Sequence, residues 1–261
     1  MSPEHLLFLK RLKRRKTSVK IAQVGLLVIA VCLWEILAYF NVIDPFIMSS
    51  PSRVVKTIVE LFSQGLLRHI GITLFETLVG FLIATTLGTF FGFLMWYFDF
   101  IKEVAEPYLV VLNALPKIAL GPILIVWCGI GYTPIIAMTV LICIIITNIS
   151  TLAAFLETDS DKIMLMKAMG AKKGRIFLTL VLPSSLPAIM SMLKINVGLS
   201  FVGSIMGEYL VSREGLGYLI VYGGQVFKLD LVMASTVILL LLSGVVYFAV
   251  SLLERLTIRY K

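Results

Sequence analysis

The chain alternates long apolar runs with short polar interruptions, and the runs have one characteristic length. A helix needs about 20 residues to cross about 30 Å of hydrocarbon. Six runs are that long: about Ile21–Phe40, Ile72–Tyr97, Leu109–Ile130, Pro134–Phe155, Leu186–Leu210 and Leu231–Leu253. The pattern predicts an all-α integral membrane protein with six transmembrane helices. A soluble bundle of buried helices is the alternative, and six such runs argue against it. Four parts follow: a basic N-terminus (1–20), a first span with an amphipathic segment (21–70), a core of five helices (71–255) and a short tail (256–261).

The interruptions carry their own patterns. In "SSPSRVVKTIVELFSQGLL", Ser-Pro opens a helix whose apolar side is Val54, Val55, Ile58, Val59 and Phe62, suited to a membrane surface. Residues 212–230 are glycine-rich and predict a structured loop or short re-entrant helix, and "GIGYTP" joins the third and fourth spans by a tight turn. The segment 156–183 is the longest connection inside the core. Asp159, Ser160 and Asp161 start a helix there and Gly170 stops it. "AKKGRIFLTLVL" resumes, and Pro183 is expected to break the helix near the membrane surface. The segment is therefore two short helices hinged at Gly170. Met164, Met166 and Met169 give the first an adaptable apolar surface that suits a partner's groove, or a solvated loop whose methionines dip into lipid.

Composition agrees with the pattern, and charge adds an orientation. The chain is 59% hydrophobic and 15% charged, against about 25% charged for soluble domains. Its net charge of +8 is unevenly placed. With the N-terminus inside, sixteen Lys and Arg fall on the inner side and five (Arg53, Lys56, Arg68, Arg213, Lys228) on the outer. Basic residues in short loops stay cytoplasmic, so both termini are expected inside, and the positive charge marks topology instead of a nucleic-acid surface. The first run is longer than a signal-peptide core and has no small-x-small cleavage site. Cys32, Cys128 and Cys143 lie in separate spans without metal-ligand spacing.

Polar and small residues within the spans are candidates for function. Gly80, Ala84, Gly88 and Gly92 recur every fourth position, a spacing that lets helix backbones approach closely. Glu76 lies one turn earlier, either as an interfacial carboxylate or in a pathway. Asn196, Ser200 and Ser204 form a row that would line a translocation path or join helices by hydrogen bonds. Glu208 ends that span. Lys194 is expected to snorkel toward the cytoplasm. Lys117, between the prolines of "LPKIALGP", would meet an anionic solute or reach the interface.

With these residues in view, the chain resembles the permease subunits of ATP-binding-cassette importers. Gly170 followed by "LVLP" at Leu180–Pro183 matches their cytoplasmic signature. "SSPSRVV", "LPKIALGPILIVWCGIG", "GAKKGRIFLTLVLPSSLP" and "GEYLVSREGLGYLI" follow in the family's order over about residues 20–255. The closest pattern is the six-span type I permease found with sulfonate, taurine, nitrate and thiamine- or riboflavin-related importers. The resemblance implies that Asp161–Met169 docks on an ATPase subunit, with Gly170 as hinge and Pro183 at the joint. It implies that Lys172, Lys173 and Arg175 anchor the joint to headgroups or to acidic ATPase residues. It favours Asn196, Ser200 and Ser204 as lining of the path, with Lys117 a further pathway candidate, and implies that Glu208, Gly215 and Gly217 lie at an outer gate. The family's Glu-Ala-Ala is replaced by Met164, Leu165 and Met166.

The implied partners are an ATPase dimer carrying ATP and Mg, a second permease copy, an extracytoplasmic solute-binding protein and the lipid of a bacterial plasma (inner) membrane. No cofactor and no nucleic acid is expected on this chain. The sequence has no G-x-x-x-x-G-K-[ST] phosphate loop, so energy must come from elsewhere. A membrane enzyme is the rival class, but there is no H-E-x-x-H, and His5 and His69 lie outside the apolar centres. An ion-gradient-driven secondary transporter is the other, with Glu76 and Lys117 as relay groups.

Overall fold

The computed structural model describes residues 3–257, and the side chains of residues 14–256 apart from that of Lys16. The basic side chains of Lys10, Arg11, Lys13 and Lys16, that of His5, and the tail from 258 to 261 lie outside it. All the described regular structure is helical. In chain order the helices are α1 (Pro3–Tyr39), α2 (Pro45–Met48), α3 (Pro51–Ser63), α4 (Leu66–Tyr97), α5 (Asp99–Ala114) and α6 (Gly121–Cys128). Then come α7 (Tyr132–Leu156), α8 (Ser160–Ala168), α9 (Lys173–Ile176), α10 (Leu182–Val211), α11 (Leu216–Gln225) and α12 (Leu229–Thr257). Among the described residues five stretches are long and apolar enough to cross a membrane, six if one bent pair counts as a span.

That pair corrects the third predicted span. Leu109–Ile130 is not one helix: α5 ends at Ala114 and the chain turns 88° into a short 3₁₀ turn and α6. Pro116 drives the residue before it out of the helical region, and Leu115 is extended at φ −66°, ψ 137°. Pro122 starts the next helix at a position where its missing N–H costs nothing.

The core is α4, α7 and α10, and glycine sets its spacing. A Cβ placed on Gly80 would stand 2.6 Å from the Thr139 side chain; on Gly88, 2.6 Å from Thr147; on Gly92, 3.1 Å from Thr151. Thr139 and Thr147 turn their hydroxyls onto their own helix, to the carbonyls of Ile135 (3.0 Å) and Cys143 (2.8 Å). On the other side of α7, a Cβ on Gly203 or Gly207 of α10 would meet the Cα of Thr139 or Ile135. Close van der Waals packing is what holds helices together where lipid removes the hydrophobic incentive.

Around this core, α3 packs on α12 through Val54, Ile58 and Leu61. Val55, Val59 and Phe62, assigned to the same apolar side from the sequence, are exposed. The packed face thus lies one position away, because the 54–58–61 stripe meets Leu231 and Ala234. Ser50 caps α3, and Ser52 donates through its N–H and hydroxyl to Glu35 of α1 (2.9 and 2.8 Å). Arg53 grips Asp230 at the start of α12 (2.7 Å).

Pro183 does not break its helix. From Lys173 to Val211 the backbone is one helical stretch. The register widens to π geometry over Phe177–Val181, where the Leu182 N–H reaches the Phe177 carbonyl. A proline has no N–H for the carbonyl four residues back, and one wide turn accommodates it without ending the helix. Lys194 extends toward the C-terminal end of α12, where its ion pair stays partly exposed. Its ammonium pairs with Glu254 in the last turn of α12 at 2.9 Å, so the two opposite charges offset each other.

Candidate functional site

The candidate residues gather at the two ends of the bundle. At one end α8 projects between α7 and α9. Asp159 caps it, accepting from the N–H groups of Asp161 (2.9 Å) and Lys162 (3.4 Å). Those donors hold the Asp159 carboxyl below the usual carboxylate range. The helix stops in a Schellman turn: the Ala171 N–H bonds the Met166 carbonyl (3.0 Å) and the Gly170 N–H that of Lys167 (2.9 Å). Gly170 is left-handed at φ +79°, with open space around it. Its conformation, not its smallness, explains why glycine stands there.

The faces of α8 divide sharply. Ile163 and Met166 pack onto the cluster of Phe155, Ile176, Phe177 and Val181. Met164, Leu165 and Met169 are exposed at 67, 62 and 79%. Met166 is therefore an anchor to the bundle and not part of the free surface assigned from the sequence. Leu165 takes its place, and the signal was its position beside Met164 and Met169 on the outward arc.

The base of this projection is fixed by aromatic rings. Phe177 lies 4.6 Å from Phe93 and 5.2 Å from Trp96 and Phe155, centroid to centroid. Lys173 sits 5.7 Å over both Trp96 and Tyr97 and pairs with Asp99 at 3.3 Å. Lys173 thus ties the joint to the end of α4 and the start of α5 within the chain, where the resemblance implied an anchor to headgroups or to acidic ATPase residues. Pro183 lies beyond the π turn, next to Ser184, which bonds Thr158 at the end of α7 (3.1 Å).

At the opposite end, Glu208, Gly215 and Gly217 come together as one constellation. Glu208 accepts from the Thr73 hydroxyl (2.6 Å) and the Gly217 N–H (2.5 Å). A Cβ on Gly215 or Gly217 would collide with the Glu208 carboxylate, so the loop closes over that side chain only because both are glycine. His69 accepts from the Gly215 N–H (3.0 Å), Thr73 from that of Leu216 (2.8 Å), and Arg68 pairs with Glu214 (2.5 Å). Arg68, His69 and Thr73 were missed from the sequence. Their signal is the continuation of the Gly80 ridge backward through Glu76, Thr73 and His69 at steps of three and four.

The polar row of α10 lies between these ends, fully buried. Asn196 donates to the Thr147 hydroxyl (2.6 Å), Ser200 to the Asn196 carbonyl (2.7 Å), and Ser204 shares a bond with Thr77 (2.6 Å). The row joins α10 to α7 and α4 inside the chain. Lys117 stands apart at the bend, donating to the Asn113 carbonyl (3.2 Å).

The family described as the binding-protein-dependent transport system inner membrane component matches residues 84–259. The chain belongs to this family. It is a transport permease subunit of the ATP-binding-cassette importers, a family without an ATPase site of its own. The permease is 31% identical over 229 residues to a probable ABC transporter permease of Haemophilus influenzae, covering 86% of this chain and 92% of that one. It is also 31% identical over 186 residues to the formylaminopyrimidine transport permease of Halalkalibacterium halodurans, covering 71% and 74%. The inward-facing MetNI methionine ABC transporter shares the fold, with a TM-score of 0.67 at 21% identity over 76% of this chain and 98% of that one. The permease is thus a multi-pass inner-membrane protein of the type I importer fold.

Proposed function

We propose that this permease, paired with a second copy of itself, forms the path by which a small solute enters the cell. ATP hydrolysis on a separate ATPase dimer drives it. The solute arrives on a binding protein outside, at the end that holds Glu208, Gly215 and Gly217. The distribution of Lys and Arg supports both termini and α8 on the cytoplasmic side. The observation that carries this reading is α8 itself. It is a capped, stopped helix, anchored inward by Ile163 and Met166, that presents Met164, Leu165 and Met169 to the surroundings. An apolar ridge on a rigid base fits the groove of a partner. Asp161 sits in its first turn, where its charge favours the helix N-terminus.

The test is uptake in proteoliposomes containing the permease and its ATPase. Replacing Gly170 by Trp should leave the complex assembled in the membrane while ATP hydrolysis no longer moves solute. Uptake by the Gly170→Trp variant equal to wild type overturns the coupling role. Uptake that persists without nucleotide and stops when ion gradients are dissipated identifies a secondary transporter instead.

A further inference from the structure

The start of α11 is capped from outside its own sequence. Its N-cap, Gly215, has no side chain, so the N–H groups of the first turn need other acceptors. The Gly215 N–H goes to His69 and that of Leu216 to Thr73, while those of Gly217 and Tyr218 both go to the Glu208 carboxyl of α10. A negative charge is favoured there, at the positive end of the helix. Glu76 of α4 is buried beside Glu208, and neither has an ion pair among the described residues. Of the cations at this end, Arg68 pairs with Glu214 and Arg213 is exposed.

The hydrogen on this pair of carboxyls can be placed by counting donors. The Thr73 hydroxyl already accepts from the Leu216 N–H, so its own hydrogen goes to Glu208 Oε1, 2.6 Å away. The Gly217 and Tyr218 N–H groups can only donate. Every one of these partners therefore donates to Glu208, a set that suits the ionised form. Glu208 also shares a hydrogen bond with the Glu76 carboxyl, and two bare carboxylates cannot make one. The hydrogen belongs to Glu76, neither of whose oxygens receives a donor. Resting on the importer reading above, we propose that Glu76 is a positioning residue of the outer gate: it donates its carboxyl hydrogen to Glu208 and so holds the carboxylate that caps α11. Without that donor, α11 and the loop before it are tied by one bond fewer. A cavity of about 250 Å³ beside Glu76, lined also by Ser212, Arg213 and Glu214, gives the loop room to move.

Infrared spectra of the purified permease–ATPase complex, with isotope-labelled glutamate in the permease alone, report the hydrogen directly. A protonated carboxyl has a carbonyl stretch that a carboxylate lacks. At neutral pH the wild type should show such a band, shifted by the label, and Glu76→Gln should lack it. Trypsin cleavage after Arg213 reads the loop. Glu76→Gln keeps an N–H donor and should be cut at the wild-type rate. Glu76→Leu should be cut about tenfold faster, having lost one hydrogen bond to a charged acceptor. No labelled band at neutral pH, a band that survives in Glu76→Gln, or equal cleavage of the Gln and Leu variants overturns the proposal. If a variant does not assemble, the wild-type band decides alone. ATP-driven uptake is followed on the same preparation in liposomes. Equal cleavage with uptake still driven by ATP removes the role of Glu76 and leaves the importer reading standing. Uptake that needs no ATP overturns the importer reading, while the infrared and cleavage results still decide the hydrogen bond.

Discussion

At the scale of single residues, backbone conformation and hydrogen-bond supply decide which side chains matter. Gly170 has no neighbour within 4 Å, so size does not select it; its φ of +79° does. Gly170→Ala should therefore weaken the end of α8 by about 1–2 kcal/mol without any clash, and Gly170→Asn by less. Hydrogen exchange of the α8 amides measures this, with faster exchange in Ala than in Asn. Gly215 is the opposite case, since both conformation and space forbid a side chain. Gly215→Ala should expel Glu208 from its donors and open the loop to proteolysis at the α11 end, which limited digestion would reveal. Gly170 was legible because a helix-stop signal is local. The cradle around Glu208 was not, because His69 and Thr73 are some 140 residues away in sequence and only the folded chain brings them there.

At the scale of helices, the ridge of small residues in α4 was legible as a close contact, but its partner was not. Spacing reveals that one backbone comes near another; it does not reveal that Thr139, Thr147 and Thr151 of α7 fill the approach. Gly88→Leu should force α4 from α7, because its Cβ alone would lie 2.6 Å from Thr147 and 2.9 Å from the Ile144 carbonyl. Overpacking of this kind costs about 1–3 kcal/mol, seen as a lower unfolding midpoint in detergent. Lys194 and Glu254 supply a second test at this scale. Removing either partner leaves a bare charge in the span, whereas removing both does not. The double variant Lys194→Ala/Glu254→Ala should be more stable than either single variant, by on the order of 2 kcal/mol. The break at Pro116 shows the limit of hydropathy: a window of apolar residues has the same score whether its helix is straight or bent by 88°.

At the scale of the molecule, five apolar stretches and a bent pair among the described residues surround a core held by glycine contacts, with hydrogen bonds joining Thr77 to Ser204 and Asn196 to Thr147 across α4, α7 and α10. The buried row of Asn196, Ser200 and Ser204 does structural work in this arrangement. The exposed apolar groups of α8 stand at one end and the buried carboxyl pair at the other. On the proposed reading, the first end is where the ATPase pushes and the second is where solute enters. The most direct measurement places a photocrosslinking amino acid at positions 164, 165 and 169 in cells that express the whole transporter. The account predicts a covalent adduct with the ATPase subunit at each exposed position and a much weaker one at position 166, which faces the bundle. Labelling that is equal at 166, or adducts with lipid alone at all four positions, would contradict it.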